Sequence, residues 1–138
     1  DGMLKVTHKR LRRAGLIHRV ELYREDAVEL PFDTDTFDSV FMSFTLELFD
    51  TPEIPVILEQ IQRVLRPGGK LGVVSLSRDY GRTIPVRIYE WFHKRFPRYI
   101  DCRPIHVEQV LKSAGFYITN YRNEKLFGLP LAIVTAKK

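Results

Sequence analysis

EDAVELPFDTDTFDSVFMSF, residues 25–44, joins one predicted strand to the next and sets the order of the elements around it. Just before it, residues 20–23 alternate apolar and polar side chains, which predicts a short strand. Pro31 and the polar cluster at residues 33–36 disfavour regular structure. Residues 39–44 then form an almost continuous apolar run, typical of a strand that helices cover on both faces. The stretch therefore predicts a loop between two strands, of which the second is buried.

The ends of these two strands are where a ligand is expected. In open α/β sheets, ligands bind in the crevice outside the carboxyl ends of the strands. Asp26 follows the first strand and Ser43 lies at the end of the second. A carboxylate at such an end can accept a hydrogen bond from an amino edge of a ligand. Without further information, Asp26 could equally be a solvated acid in a loop. Ser43 could equally be a small polar residue that is buried in the strand.

The rest of the chain alternates helices and strands. A helix over residues 51–65, between the strand at 39–44 and a strand at 70–77, predicts parallel pairing with a right-handed crossover. Thr51 is the expected N-cap, with Pro52 in the first helical position. The sequence thus predicts an α/β protein, a Rossmann-like doubly wound and mostly parallel sheet. The other predicted elements are helices at residues 3–14 and 107–114 and a C-terminal antiparallel hairpin, 117–126 and 131–136, joined by a turn at 127–130.

Length and composition are those of one folded domain. The chain has 138 residues, of which 44% are hydrophobic and 28% charged, and we expect a single domain over residues 1–138. An aromatic stretch at residues 78–103 reads as a lid-like insertion. No apolar run reaches the roughly 20 residues of a membrane-spanning helix, and a cytoplasmic protein is the expectation. Because the chain opens Asp1-Gly2-Met3, we expect its natural N-terminus to lie upstream.

The charge is clearly basic. The net charge is +5 and the pI is about 9.5, which is compatible with nucleic acid, an anionic membrane surface or an anionic substrate. A solvated helix face is the favoured interpretation of the basic residues in the first helix. Cys102 is the chain's single cysteine and cannot form an internal disulfide. No metal is expected, because the histidines and Cys102 lack the spacing of metal ligands.

Four motifs carry a resemblance to a known family. They occur in the family's order and spacing, and together they resemble the class I S-adenosylmethionine-dependent methyltransferases, in particular the branch with the ubiquinone and menaquinone biosynthesis methyltransferases. The resemblance covers the chain from about Gly2 to its end. The motifs are Asp26-Ala27-x-x-Leu30-Pro31-Phe32, Phe37-Asp38-x-Val40, Arg63-Val64-Leu65-Arg66-Pro67-Gly68-Gly69-Lys70-Leu71 and Ser113-Ala114-Gly115-Phe116.

The resemblance implies the cofactor S-adenosylmethionine and residues that hold it. Asp26 and Ala27 match the family's pair beside the adenine, and Ser43 matches its serine beside the methionine part of the cofactor. The family's glycine-rich loop and its ribose-binding acid have no counterpart here. The resemblance therefore implies that the N-terminal part of the fold is missing, and that this chain alone is inactive.

The acceptor side is less specific. Phe44, Tyr80, Tyr89 and Trp91 are weak candidates for binding a small-molecule or lipid-like methyl acceptor. Glu47 and His93 are weak candidates for a general base, which the reaction needs only if the acceptor must lose a proton. In-line methyl transfer chiefly requires that the two reactants are held in near contact.

A second function class stays open at this point. A non-catalytic protein of the same fold could hold nucleic acid or an anionic surface through its basic helix and the basic, aromatic residues 82–103. Phosphate binding weakens steeply with salt, whereas adenine recognition does not, so ionic strength distinguishes the two classes. The sequence leaves the oligomeric state open, with a homodimer among the alternatives.

Overall fold

The computed structural model describes residues 2–76, 105–126 and 129–138. The predicted insertion at 78–103 lies outside the described residues. Two compact units are present, Asp1–Pro31 and Phe32–Lys138, and each is described by itself. The expectation of a single methyltransferase domain stays a prediction.

The first unit contains helix α1, Gly2–Arg13, followed by a short 3-10 turn, Ile17–Arg19. Gly15 adopts a φ of 69°, in the left-handed region, and lies just beyond the end of the helix. The strand predicted at residues 20–23 is wrong. Val20 has extended backbone angles, but all strands among the described residues belong to the second unit. Alternating polarity does not make a strand without a hydrogen-bonded neighbour.

The second unit is a four-stranded sheet with helices. Its strand order is β1-β2-β4-β3. Strand β1 pairs with β2 in parallel, with α2 as the crossover, whereas β4 is antiparallel to both β2 and β3. The predicted α/β class, the parallel unit and the C-terminal antiparallel hairpin are confirmed. The bounds are β1 Phe37–Ser43, α2 Glu53–Val64, β2 Leu65–Leu76, α3 Val107–Ser113, β3 Tyr117–Leu126 and β4 Leu129–Lys137.

The core of this unit lies between the helices and one face of the sheet. The apolar face of α2 is buried, as is the apolar side of α3. Burial of each such side chain removes apolar surface from water and stabilises the fold by on the order of 2 kcal/mol. Alternate residues of β1 and β2 face this core. The buried set includes Met42, Ile54, Ile57, Leu58, Ile61, Val64, Leu71, Val73, Val107, Leu111, Val134 and Ala136.

The start of α2 differs from the prediction. The helix begins at Glu53 with Pro52 as its N-cap residue, and no side chain caps it from that position. Instead, Glu53 and Asp50 bond reciprocally. The Glu53 N–H donates to the Asp50 carbonyl (2.9 Å), and the Asp50 N–H donates to Glu53 Oε2 (3.1 Å). The Asp50 carbonyl, rather than a Thr51 side chain, therefore accepts the N–H of the first helical residue, and the Glu53 carboxylate fixes the Asp50 N–H just before the helix.

Two strand boundaries also differ. Strand β2 starts at Leu65 rather than at residue 70, because Leu65 already pairs with Phe37 before the next pair, Ser39 and Lys70. Between these two pairs, one residue of β1 faces four of β2, so the proline-glycine turn is an irregularity within the strand. The predicted hairpin turn at 127–130 is too long, since β4 begins at Leu129.

Candidate functional site

The carboxyl end of β1 is closely joined to β2. Ser43, the last residue of β1, is exposed and pairs with Val74. The next N–H, that of Phe44, donates to the Val74 carbonyl at 2.8 Å. The Thr45 hydroxyl donates to the Ser43 carbonyl at 3.0 Å. Ser43 therefore presents its side chain to solvent at the strand end where the sequence placed a ligand.

Phe44 leaves the strand in a strained conformation. Its φ is 50°, in the left-handed region that non-glycine residues rarely adopt. Such outliers cost about 1–3 kcal/mol and cluster at binding and catalytic sites. The side chain is half-buried. Nothing in the amino-acid type of a phenylalanine indicates this backbone geometry, so sequence reasoning could not find it.

Glu47 is buried just beyond this point, in the 3-10 turn Leu46–Leu48, with 1% of its surface exposed. Both carboxylate oxygens accept hydrogen bonds. The Ser75 hydroxyl donates to Oε2 at 3.0 Å, and the Leu76 N–H donates to Oε1 at 3.3 Å. The proposed general base is thus held against the end of β2. Ser75 was missed in the sequence, although a serine within the apolar run LGVVSL was the available signal.

In the first unit, Asp26 forms a turn. Its Oδ1 accepts the Val28 N–H at 3.1 Å, and its carbonyl accepts the Glu29 N–H at 3.2 Å. Its side chain is exposed, Ala27 is half-buried, and Asp26 Oδ2 has no partner among the described residues. The turn fixes the direction of the carboxylate, and one oxygen remains to accept a bond from an amine.

A tyrosine and a glutamate precede this turn. The Tyr23 hydroxyl donates to the Glu21 carboxylate. That hydrogen bond, together with the negative charge of Glu21, raises the pKa of Tyr23 above its ordinary value. Tyr23 is exposed, so the pair lies in solvent beside the Asp26 turn.

The predicted site residues divide into three sets. Ser43, Phe44 and Glu47 lie together at the β1 end of the second unit. Asp26 and Ala27 lie in the first unit. Tyr80, Tyr89, Trp91 and His93 lie outside the described residues. The cofactor and acceptor assignments therefore stay predictions. The residues present fit S-adenosylmethionine in kind, since Asp26 offers a directed carboxylate oxygen and Ser43 an exposed hydroxyl.

A groove of about 550 Å³ lies elsewhere, between α2 and α3. Its walls include Ile54, Leu58, Gln62 and Val110, and none of the predicted site residues. Within the described residues, no group of three or more His, Cys, Asp or Glu side chains is placed to bind a metal ion. No helix in the described ranges has the length and apolar content needed to cross a membrane.

Comparison with known proteins gives a family match. The model of the ubiE/COQ5 methyltransferase family matches residues 1–101. The ubiquinone/menaquinone biosynthesis C-methyltransferase UbiE of Idiomarina loihiensis is 35% identical over 92 residues, 67% of this chain and 36% of that protein. The enzyme of the same name from Cronobacter sakazakii is 34% identical over 118 residues, 85% of this chain and 43% of that protein. This chain spans less than half of either relative.

Solved structures share the fold. A methyltransferase of Methanosarcina mazei that depends on S-adenosylmethionine superposes with a TM-score of 0.67 at 20% identity, covering 83% of this chain and 65% of that one. The 1,6-didemethyltoxoflavin-N1-methyltransferase of Burkholderia thailandensis, with 1,6-didemethyltoxoflavin and S-adenosylhomocysteine bound, has a TM-score of 0.68 at 18% identity, covering 93% and 54%. At these identities the likeness shows a Rossmann-like fold.

The family match covers most of the motifs quoted from the sequence, including the Asp26-Ala27 pair and the Pro67-Gly68-Gly69 turn. The predicted resemblance to class I methyltransferases is confirmed. So are the enzyme class and S-adenosylmethionine as the cofactor of that class. The chain belongs to the ubiE/COQ5 methyltransferase family.

Proposed function

We propose that the complete protein transfers a methyl group from S-adenosylmethionine to a small-molecule or lipid-like acceptor of quinone type. The observation that carries this proposal is the family match over residues 1–101. The names of the relatives, ubiquinone/menaquinone biosynthesis C-methyltransferases, support a quinone precursor that is methylated on carbon. Because the chain spans part of those relatives, the activity is assigned to the complete protein, and this chain alone is proposed to be inactive.

Three residues are the proposed contacts of the cofactor. Asp26 would accept a hydrogen bond from the adenine amino group, with the small Ala27 beside the ring, and Ser43 would meet the methionine part. The Asx-type turn at Asp26 supports this role because it directs the carboxylate before any ligand arrives. A carboxylate that is already oriented as a hydrogen-bond acceptor loses less side-chain entropy when the ligand binds.

The chemistry is a direct displacement. The acceptor's nucleophilic atom attacks the sulfonium methyl group, a bond from that atom to the methyl carbon forms, and the carbon–sulfur bond breaks with its electrons going to sulfur. S-adenosylhomocysteine leaves, and an acceptor carbon that carried hydrogen then loses a proton. Alignment and near contact of the reactants provide most of the rate gain. Phe44, Tyr80, Tyr89 and Trp91 remain the proposed acceptor contacts.

Other expectations stay predictions. No observation favours the alternative of a non-catalytic protein that binds nucleic acid or an anionic surface. The cytoplasmic location, a homodimer and the absence of a metal likewise stay predictions, as does His93 as a weak general-base candidate.

Calorimetry of the complete protein with S-adenosylhomocysteine tests the assignment. We expect Asp26→Ala to weaken binding about tenfold, the effect of losing one hydrogen bond to a charged group. Asp33→Ala is the matched control, since Asp33 is another exposed loop acid. Unchanged affinity in Asp26→Ala would remove Asp26 from the site. A wild-type protein that binds neither S-adenosylhomocysteine nor S-adenosylmethionine would overturn the proposed function.

A further inference from the structure

Glu47 has an environment that its sequence position does not explain. The residue is 1% exposed, and a buried carboxylate is costly unless donors compensate for the lost water. Both donors here come from the end of β2, the Ser75 hydroxyl and the Leu76 N–H. They approach different oxygens of the same carboxylate. The side chain is therefore a two-point link between the segment after β1 and the neighbouring strand.

The link continues a series of contacts along β2. Ser43 pairs with Val74 in the parallel ladder, and the Phe44 N–H donates to the Val74 carbonyl. Glu47 then reaches the next two residues of β2. The backbone from Ser43 to Glu47 is thus fixed to three consecutive residues, 74–76, although Phe44 is in a strained conformation. A strained residue persists only where its surroundings over-determine it.

Leu76 also has a second backbone contact. Its carbonyl accepts the Ile105 N–H at 3.3 Å, so the strand end that Glu47 binds also receives the chain on its return at residue 105. Because the Leu76 N–H donates to Glu47 and the Leu76 C=O accepts from Ile105, both backbone polar groups of Leu76 are satisfied. Movement of the Glu47 carboxylate would leave a buried N–H without a partner.

We propose that Glu47 is a positioning residue for the methyl transfer. Its carboxylate holds Ser43 and Phe44 in place through the end of β2. The inference rests on the proposed function, in which Ser43 contacts the methionine part of the cofactor. It differs from the general-base hypothesis, because a base must take up a proton from the acceptor. A positioning role needs only the two hydrogen bonds that the Glu47 oxygens already accept within the fold.

Glutamine at this position separates the two roles. In Glu47→Gln the amide oxygen can still accept the Leu76 N–H, and the amide nitrogen can donate to the Ser75 oxygen after the hydroxyl rotates. A positioning residue is therefore rescued by glutamine. A general base is not, since an amide has no basic oxygen at neutral pH. Glu47→Ala removes both contacts, and Ser75→Ala removes one.

The test uses the complete protein well below its melting temperature. The readouts are kcat, the KM values of methyl donor and acceptor, the Kd of S-adenosylhomocysteine and the Tm. We expect Glu47→Ala to weaken S-adenosylhomocysteine binding and to lower kcat, each by about tenfold, as for the loss of a buried charged hydrogen bond. Glu47→Gln stays within about threefold of wild type in both. For Ser75→Ala we expect values of Kd and kcat between those of the two Glu47 variants.

Glu108→Ala is the matched control. Glu108 pairs with Lys112 on α3, and 43% of its side chain is exposed, so its loss leaves kcat and Kd unchanged. A Glu47→Ala protein with wild-type Kd and kcat but a lower Tm shows a purely structural residue and overturns the proposal. Equal loss of kcat in Glu47→Gln and Glu47→Ala, with normal Kd, shows a general base and also overturns it. If the wild-type protein itself transfers no methyl group, the proposed function is refuted, independently of the role of Glu47.

Discussion

At the scale of single residues, the backbone of Phe44 is the clearest departure from ordinary geometry in the site. Its φ of 50° places the Cβ atom close to the following carbonyl oxygen, which costs about 1–2 kcal/mol for an L-residue. The neighbouring Thr45 has a φ of −118°, which any residue adopts. The two adjacent positions therefore differ in backbone strain, within one loop.

Paired truncations measure that strain. We expect Phe44→Gly to be more stable than Phe44→Ala by about 1 kcal/mol, because glycine has no Cβ and adopts positive φ readily. Both variants lose the aromatic ring, so their difference reports the backbone. At Thr45 we expect the reverse order, with Thr45→Ala more stable than Thr45→Gly by up to about 1 kcal/mol. Urea unfolding of the four variants provides the measurement. Equal stability of the two Phe44 variants would show that the site is unstrained.

Residue types predicted some of these positions and not others. Ser43 lies at the end of β1 as its position in an apolar run indicated. Asp26 was identified through a family motif, but its bond to the Val28 N–H depends on the local turn. The partners of Glu47 could not be predicted, because Ser75 lies 28 positions away and meets it through the register of β1 and β2. Contacts that depend on register need the fold.

At the scale of elements, periodicity was sufficient for the parallel unit β1–α2–β2. The apolar face of α2 and the apolar run of β2 can each be buried in only one arrangement, with the helix packed on the sheet. Periodicity does not predict the turn between them, because the polarity of its residues has no repeating pattern. Gly68 has a φ of 74°, while Gly69 is buried close to other backbone. The sequence Pro-Gly-Gly indicated a turn but not that β2 would continue through it.

The two glycines should therefore respond differently to alanine. A Cβ at Gly69 would lie 2.8 Å from the Arg66 carbonyl oxygen and 3.3 Å from that of Asp38, so backbone must move. A Cβ at Gly68 meets nothing within 4 Å, and its cost is torsional. We expect Gly68→Ala to destabilise the protein by about 1 kcal/mol and Gly69→Ala by about 2–3 kcal/mol. Chemical unfolding of the complete protein measures both. The reverse order would contradict the close packing of Gly69.

At the scale of the whole molecule, charge is the property that separates the two function classes. The net charge of +5 includes a concentration of basic residues in α1, whose last turn carries Arg10, Arg12 and Arg13. None of the residues of α1 is buried, and basic side chains in a last turn interact favourably with the helix dipole. Helix stability alone therefore accounts for their position, without a polyanion.

Ionic strength then decides between cofactor recognition and phosphate binding. S-adenosylhomocysteine carries an ammonium and a carboxylate group, so its binding releases few counterions. We expect its Kd to change by less than about twofold between roughly 50 and 200 mM salt, whereas a protein with six to ten phosphate contacts loses about 10³–10⁵ in affinity over that range. Replacing Arg10, Arg12 and Arg13 with glutamine should leave the Kd unchanged. Calorimetry at the two salt concentrations makes the measurement. A nucleic acid that binds more tightly than S-adenosylhomocysteine, with a steep salt dependence abolished by the triple substitution, would instead support the binding protein, because the basic helix would then be its site.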